Sequence, residues 1–433
     1  MVAGVAADGD RALARYLRQE VGAHSPYYRR RLGDAGEAGW PRSLDDLSRL
    51  PLLSLDGIDD PACFVLRPDW TSIDRSGDPR LAARVAMSRL GGRQQRRSRR
   101  LVDHRYKPLH WTLEAGVPVG SSAADLERLG RLGARWLALA GVRPTDVLVG
   151  FAPPGPNLAF WQLVLGARGA GVSAVHLPPP PAAHEVATLR PTVLAGRPFD
   201  LARLLTAART EGHPLPAVRT LLALGGPLEE GVRAKLSRLL DSPADAAVVA
   251  AWAPPGVRAL WSECRPGAGA GEMPRPGLHA WPEAEVLEVI DPLSGAPAPP
   301  GADGEVVWTA LGWSGTVFVR LRTGVFAMID AGPCPACRRR GPRLSVVSET
   351  PAFLSALDRH PAVTGWQAEL RTVGGREELL VFVSLAPPAP AGRVLRELDG
   401  QLSATQYVVV DGPTLDARMA AHGDRRVVDL RRR

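Results

Sequence analysis

Behind Ser122, the residues Leu126, Leu129, Leu132, Trp136 and Leu139 recur at helical spacing, and they predict an amphipathic helix running to Ala140 with Ser122 as its cap. From there the chain alternates. Short apolar runs at 146–151, 171–175, 192–195 and 218–224 have the length of buried strands. Helical patterns at 157–168, at 199–210, and from Gly225-Gly226-Pro227 to Leu240 separate or follow them. Alternation of this kind predicts a parallel sheet with helices on both faces. Proline clusters at 178–181 and 297–300 mark loops.

The flanking regions carry different patterns. Residues 11–21 are helical in period, Ser25-Pro26 looks like a cap followed by a first turn, and Ser43 caps a further short helix. Residues 66–110 are arginine-rich and weakly periodic, and no element is assigned there. Runs at 285–290 and 304–309 predict strands of a smaller β subdomain. A basic, Gly/Pro-broken hinge follows at 338–342. Beyond it come a helix at 351–359, strands at 363–373 and 379–385, a helix at 392–402, and strands at 407–410 and 427–430. The fold class expected is α/β, with a large N-terminal doubly wound domain, a β subdomain, and a small mobile α+β C-terminal domain. The expected division is 1–110, 111–340 and 345–433.

Composition narrows the function classes. With 433 residues, 45% hydrophobic and 23% charged, the chain belongs with folded globular proteins and not with disordered ones. No apolar run approaches the roughly 20 residues a membrane helix needs, and the N-terminal residues lack the apolar core of a signal peptide. No membrane partner is expected, and a cytoplasmic location is. The net charge of +8 is almost all arginine, since Lys107 and Lys235 are the only lysines. The dense basic segment 93–107 has no interleaved aromatics, which argues against a nucleic-acid partner. Four cysteines, two of them in Cys334-Pro335-Ala336-Cys337, suit a metal better than a disulfide framework. Cys63 stands apart and looks like a small core residue.

The order of motifs between residues 262 and 337 carries a resemblance. Ser262-Glu263-Cys264, Gly277-Leu278-His279, Asp291-Pro292-Leu293-Ser294-Gly295, Gly304-Glu305-Val306-Val307-Trp308-Thr309, Arg320-Leu321-Arg322-Thr323-Gly324 and the Cys-x-x-Cys pair succeed one another. Together with the His24-to-Leu32 opening and the Arg425-to-Arg431 tail, they resemble the phenylacetate-CoA ligase family of adenylate-forming enzymes. The resemblance covers most of the chain apart from residues 66–110. It implies ATP-Mg and coenzyme A as cofactors, a small acyl or aryl carboxylic acid as substrate, and an acyl-adenylate intermediate. It places nucleotide contacts at Gly116, Gly225, Gly226, Trp252 and Arg322. It also places a structural zinc ion on Cys264, His279, Cys334 and Cys337.

Several positions depart from that family's pattern. The phosphate-cradling loop is replaced by Thr112-Leu113-Glu114-Ala115-Gly116-Val117-Pro118, with a carboxylate where phosphates would sit. Trp252-Ala253-Pro254-Pro255-Gly256 lacks the magnesium-side acid. Val325 replaces the ribose-gripping aspartate. His422-Gly423-Asp424-Arg425-Arg426-Val427 lacks the C-terminal lysine. The expectation is a ligase-like protein that has lost adenylation and binds an acyl or aryl ligand or a protein partner. The alternative is an atypical ATP-dependent acyl- or aryl-CoA ligase.

Overall fold

The computed structural model describes the chain except residues 1–6, 33–40, 42, 44, 69–81, 84, 88–93, 241–245, 266–276, 300, 348–353, 403, 405, 423–425 and 432–433. Two units are distinguished. The first comprises residues 1–144, 153–173 and 251–347, and the second comprises 145–152, 174–250 and 348–433.

In the first unit, helix α1 (Ala7–Tyr16) widens into a π-turn, and α2 (Pro26–Leu32) begins at the predicted cap, where Ser25 Oγ accepts the Tyr28 N–H at 3.4 Å. Part of the stretch left unassigned from sequence forms α3 (Gln94–Tyr106). Among its described side chains only Val102 and Tyr106 are buried, one turn apart. That apolar stripe is too sparse for periodicity to register. Strands β1 (Pro108–Glu114) and β2 (Val117–Ser122) follow as an antiparallel hairpin. Its two-residue turn, Ala115-Gly116, has positive φ at both positions (49° and 84°), the signature of a type I′ turn. The predicted helix is α4 (Ala123–Leu139), closed by a reciprocal capping box between Ser122 and Asp125.

The alternating region contains β3 (Val147–Gly150), α5 (Leu158–Ala170), β4 (Ser173–His176), α6 (Ala183–Thr188), β5 (Val193–Gly196), α7 (Pro198–Thr210), β6 (Thr220–Leu224), α8 (Glu230–Leu239) and β7 (Ala247–Trp252). The strand order is β4-β3-β5-β6-β7, with β3, β5 and β6 parallel. The core of the second unit includes Phe151, Leu201, Leu205, Leu221 and Leu236. Helices α4 and α5, both in the first unit, approach through glycines. A Cβ on Gly133 would lie 2.6 Å from the Gly166 Cα, so the close approach needs both residues bare.

Strands β8 (Trp261–Ser262), β9 (Leu278–His279), β10 (Glu285–Ile290), β11 (Gly304–Ala310), β12 (Leu321–Asp330) and β13 (Arg343–Val346) form the β part of the first unit, in the order β8-β9-β13-β12-β11-β10. The chain then forms α9 (Ser355–Arg359), β14 (Val363–Val373), β15 (Arg376–Leu385), α10 (Ala391–Asp399), β16 (Gln406–Val409), α11 (Gly412–Ala421) and β17 (Val427–Asp429). These strands make a separate four-stranded sheet, β16-β15-β14-β17, on which Val394 and Leu398 of α10 pack beside Trp366. The architecture is the expected α/β arrangement with a β part and a smaller C-terminal α+β part bearing its own sheet. Sequence pattern missed β1, β2, α6, β7, β8, β9, β12, β13 and α11. The first residues of the predicted 351–359 helix lie outside the described residues, as do Gly423 to Arg425.

Candidate metal centre and candidate ligand site

Three neighbouring strands assemble the metal centre. His279 sits in β9, paired with Ser262 of β8 on one side and Arg343 of β13 on the other. Cys264 lies two residues beyond β8, and the Cys334–Cys337 turn lies between β12 and β13. That turn is held by the Cys334 N–H on Arg339 O and by the Arg338 N–H on Cys334 O, both at 2.9 Å, with Arg338 at positive φ. The ligand atoms of Cys264, His279, Cys334 and Cys337 all lie within 4.8 Å of one another.

Individual separations say more. The Cys264 and Cys334 sulfurs are 3.8 Å apart, and Cys337 Sγ is 3.6 Å from His279 Nε2. A tetrahedron with metal–sulfur arms of ~2.3 Å and a metal–nitrogen arm of ~2.0–2.1 Å has edges of about 3.8 and about 3.6 Å. A disulfide would need sulfurs at ~2.05 Å, and all four cysteines are free. The Cys337 N–H donates to Cys334 Sγ at 3.5 Å, the kind of outer contact that steadies a thiolate ligand. Burial, then Arg339 and Arg343, holds the His279 imidazole down at about 4, so it is neutral at ordinary pH and available as a donor. The four residues singled out from sequence are therefore brought together, and they fit a thiolate-rich cation.

The candidate ligand residues lie in different places. Gly116 is the second residue of the tight hairpin turn, not part of an extended loop. Glu114, at the end of β1, is half-buried. Its carboxyl accepts from Thr112 and from the Gly256 N–H, with Arg258 nearby, and burial pushes it up to about 7. Two segments that the sequence reading had set beside one ligand thus meet directly, through Glu114 and Gly256.

Trp252 is buried, edge-on to Trp261 at 5.9 Å between ring centres, and its indole N–H finds no acceptor among the described residues. Arg322 donates to Glu305 at 2.9 Å and to Pro292 O at 3.1 Å, so its guanidinium is engaged by β11. Val325 is buried in β12. Gly225 and Gly226 follow β6 in the second unit, Gly225 at φ 102°, with no atom crowding Gly226.

Among the buried ionisable side chains that went unnoticed in the sequence, Arg258 and Glu285 are heavily bonded to neighbouring groups. Arg258 donates to Ser121 Oγ at 2.8 Å and to Thr316 O, stands over Trp313 at 4.6 Å, and is 3.5 Å from Asp125. Glu285 accepts the Trp261 and Trp308 indole N–H groups at 3.0 and 2.7 Å and the Trp281 backbone N–H at 2.6 Å. Burial nonetheless raises its carboxyl to about 7. The one available hint was Asp125, the fourth residue of a capping box whose carboxylate also serves the Ser314 and Gly315 N–H groups.

No family model and no curated protein matches the sequence. Solved structures do resemble the fold. 2-Hydroxyisobutyryl-CoA ligase in the postadenylation state with R3-HIB-AMP superimposes with a TM-score of 0.69 at 18% identity, over 98% of this chain and 88% of that one. The same ligase with 2-HIB-AMP and CoA in the thioesterification state gives 0.59 at 19% identity, over 99% and 91%. The chain has the fold of the adenylate-forming acyl-CoA ligases. At this identity, the likeness reaches the fold and not the reaction.

Proposed function

We propose that this protein is a non-catalytic relative of the acyl-CoA ligases, which binds an acyl or aryl carboxylic ligand or a protein partner without activating it through ATP. The observation that carries this reading is the Glu114 carboxyl on the Gly256 N–H. Phosphoryl and adenylyl transfer rest on positive charge and N–H donors arranged around phosphate oxygens. The Glu114 carboxyl at that junction occupies the Gly256 N–H and supplies no positive charge of its own. Supporting it are the engagement of Arg322 by Glu305, the apolar side chain of Val325, and the absence of any lysine beyond Lys235. Lys235 itself donates to Val363 O at 2.6 Å and is buried. Pyrophosphate exchange with a panel of aryl and fatty acids, beside calorimetry with ATP-Mg, tests the reading. Background exchange and no nucleotide affinity are expected; robust exchange with any acid would overturn it.

The second reading is an active, atypical ATP-dependent acyl- or aryl-CoA ligase. It is favoured by the likeness over nearly the whole chain to a ligase that holds an acyl-adenylate and CoA.

For the metal centre the reading is a structural zinc ion. The tetrahedral spacing and the S₃N donor set support it, and four protein ligands leave no open position for a reacting water. Metal analysis of the purified protein, with about one zinc per chain expected, checks this.

A further inference from the structure

Strand β1 has its pattern inside out. His110, Thr112 and Glu114 face inward, while Leu109, Trp111 and Leu113 are 61%, 44% and 53% exposed. The register pairs Trp111 with Gly120 and Leu113 with Pro118, so the outer face of β2 adds no polar side chain opposite them. Trp111 lies against Gly120: a Cβ there would sit 3.0 Å from its ring, so the indole is held flat and half in solvent. Polar residues inward and apolar residues outward reverse the ordinary rule for a half-buried strand. Contiguous exposed apolar groups of this kind mark interaction surfaces.

The same strand follows directly on the arginine-rich helix. In α3 the buried face is Val102 and Tyr106; Arg99, Arg100 and Lys107 are exposed. The Lys107 N–H still bonds Asp103 O at 2.9 Å, so Lys107 continues the helical turn, two turns on from Arg100, and leads into Leu109. Arg105, engaged by Glu20, stands apart from this stripe, whereas His104, paired with Glu127, and the half-exposed Asp103 share its face, which stays net positive through Arg99, Arg100 and Lys107. A cationic stripe therefore joins an apolar one at Lys107.

We propose that this joined surface docks the protein peripherally on an anionic lipid bilayer, with Leu109, Trp111 and Leu113 entering the headgroup region and Arg99, Arg100 and Lys107 meeting lipid charge. Apolar insertion combined with basic attraction strengthens membrane binding beyond what either gives alone, and both are present in adjoining elements. Single-stranded nucleic acid fits less well, because two of the three exposed apolar side chains are leucines and offer no π face for bases. A second copy fits less well too: three half-exposed side chains fall short of the ~800 Å² per partner of a stable dimer.

Flotation of the full chain with phosphatidylcholine vesicles, with and without phosphatidylglycerol, tests the proposal. The wild type is expected to float with the anionic vesicles and much less with neutral ones. The combined variant Leu109→Ser, Trp111→Ser, Leu113→Ser should lose about tenfold in partitioning. Its far-ultraviolet dichroism should match the wild type, and only the loss of the half-exposed Trp111 should lower the melting temperature slightly. Arg99→Glu, Arg100→Glu, Lys107→Glu should abolish the preference for anionic lipid. The proposal fails if the wild type stays unbound at low salt or the apolar variant floats equally well. It also fails if light scattering shows a dimer that the apolar variant dissolves, or if the surface retains single-stranded nucleic acid in preference to vesicles.

Discussion

At the scale of single residues, the metal ligands and Glu114 carry the sharpest expectations. Cys337 supplies one sulfur 3.6 Å from His279 Nε2. On the proposed zinc reading, Cys337→Ser should lower both zinc content and melting temperature markedly, since structural zinc contributes on the order of 10 kcal/mol to small sites; zinc analysis and calorimetry of the variant read both. For Glu114 the sign follows from its raised carboxyl, about 7 against an ordinary 4.5. The buried charged form is disfavoured, so its contribution to stability is complete below pH 4.5 and is lost as pH rises through 7. Denaturant titrations between those values should show a fall on the order of 1–3 kcal/mol. Glu114→Gln should flatten part of the slope, leaving the share of Glu285, which shifts in the same direction. An unchanged slope would mean that Glu114 is ionised and solvated.

Elements bring constraints that no single side chain reveals. Ala115 takes a left-handed conformation in a turn that favours asparagine or glycine there. Ala115→Asn should stabilise the protein by about 1 kcal/mol, measured by thermal unfolding. The α4–α5 contact makes the opposite case. Gly133→Ala improves helix propensity by about 1 kcal/mol, yet its Cβ would fall 2.6 Å from backbone. Overpacking of this kind costs about 1–3 kcal/mol or more, so a net loss of stability is expected. The spacing Gly130, Gly133, Gly166, Gly169 was visible in the sequence; that these faces meet was not.

For the whole molecule, the clearest lever is Lys235 in the second unit. Its ammonium donates to Val363 O and Leu357 O, and burial holds it down at about 8 against an ordinary 10.5, with Asp358 opposing and Arg426 and Arg238 adding to the shift. Between these values the unfolded chain binds the extra proton, so stability should rise as pH increases from 8 toward 10. The rise is bounded at about 3 kcal/mol. Lys235→Met should remove it, and a profile that falls over that range in the wild type would contradict the assignment. Above pH 10, Tyr28 and Tyr106 act in the opposite sense, because burial raises their hydroxyls.

The sequence by itself determined the alternating α/β core, the caps at Ser25 and Ser122, and the four cysteine and histidine residues that converge within 4.8 Å. Each is written locally: period records which face is buried, and sulfur and nitrogen donors are few enough to stand out. Tertiary structure alone decided the rest. It placed Glu114 on the Gly256 N–H and Arg322 on Glu305, buried Arg258 and Glu285 among tryptophans, and turned Leu109, Trp111 and Leu113 outward. Those outcomes depend on which distant segments share a neighbour and which find none. Burial and electrostatic partnership belong to the packed chain, and no local period encodes them.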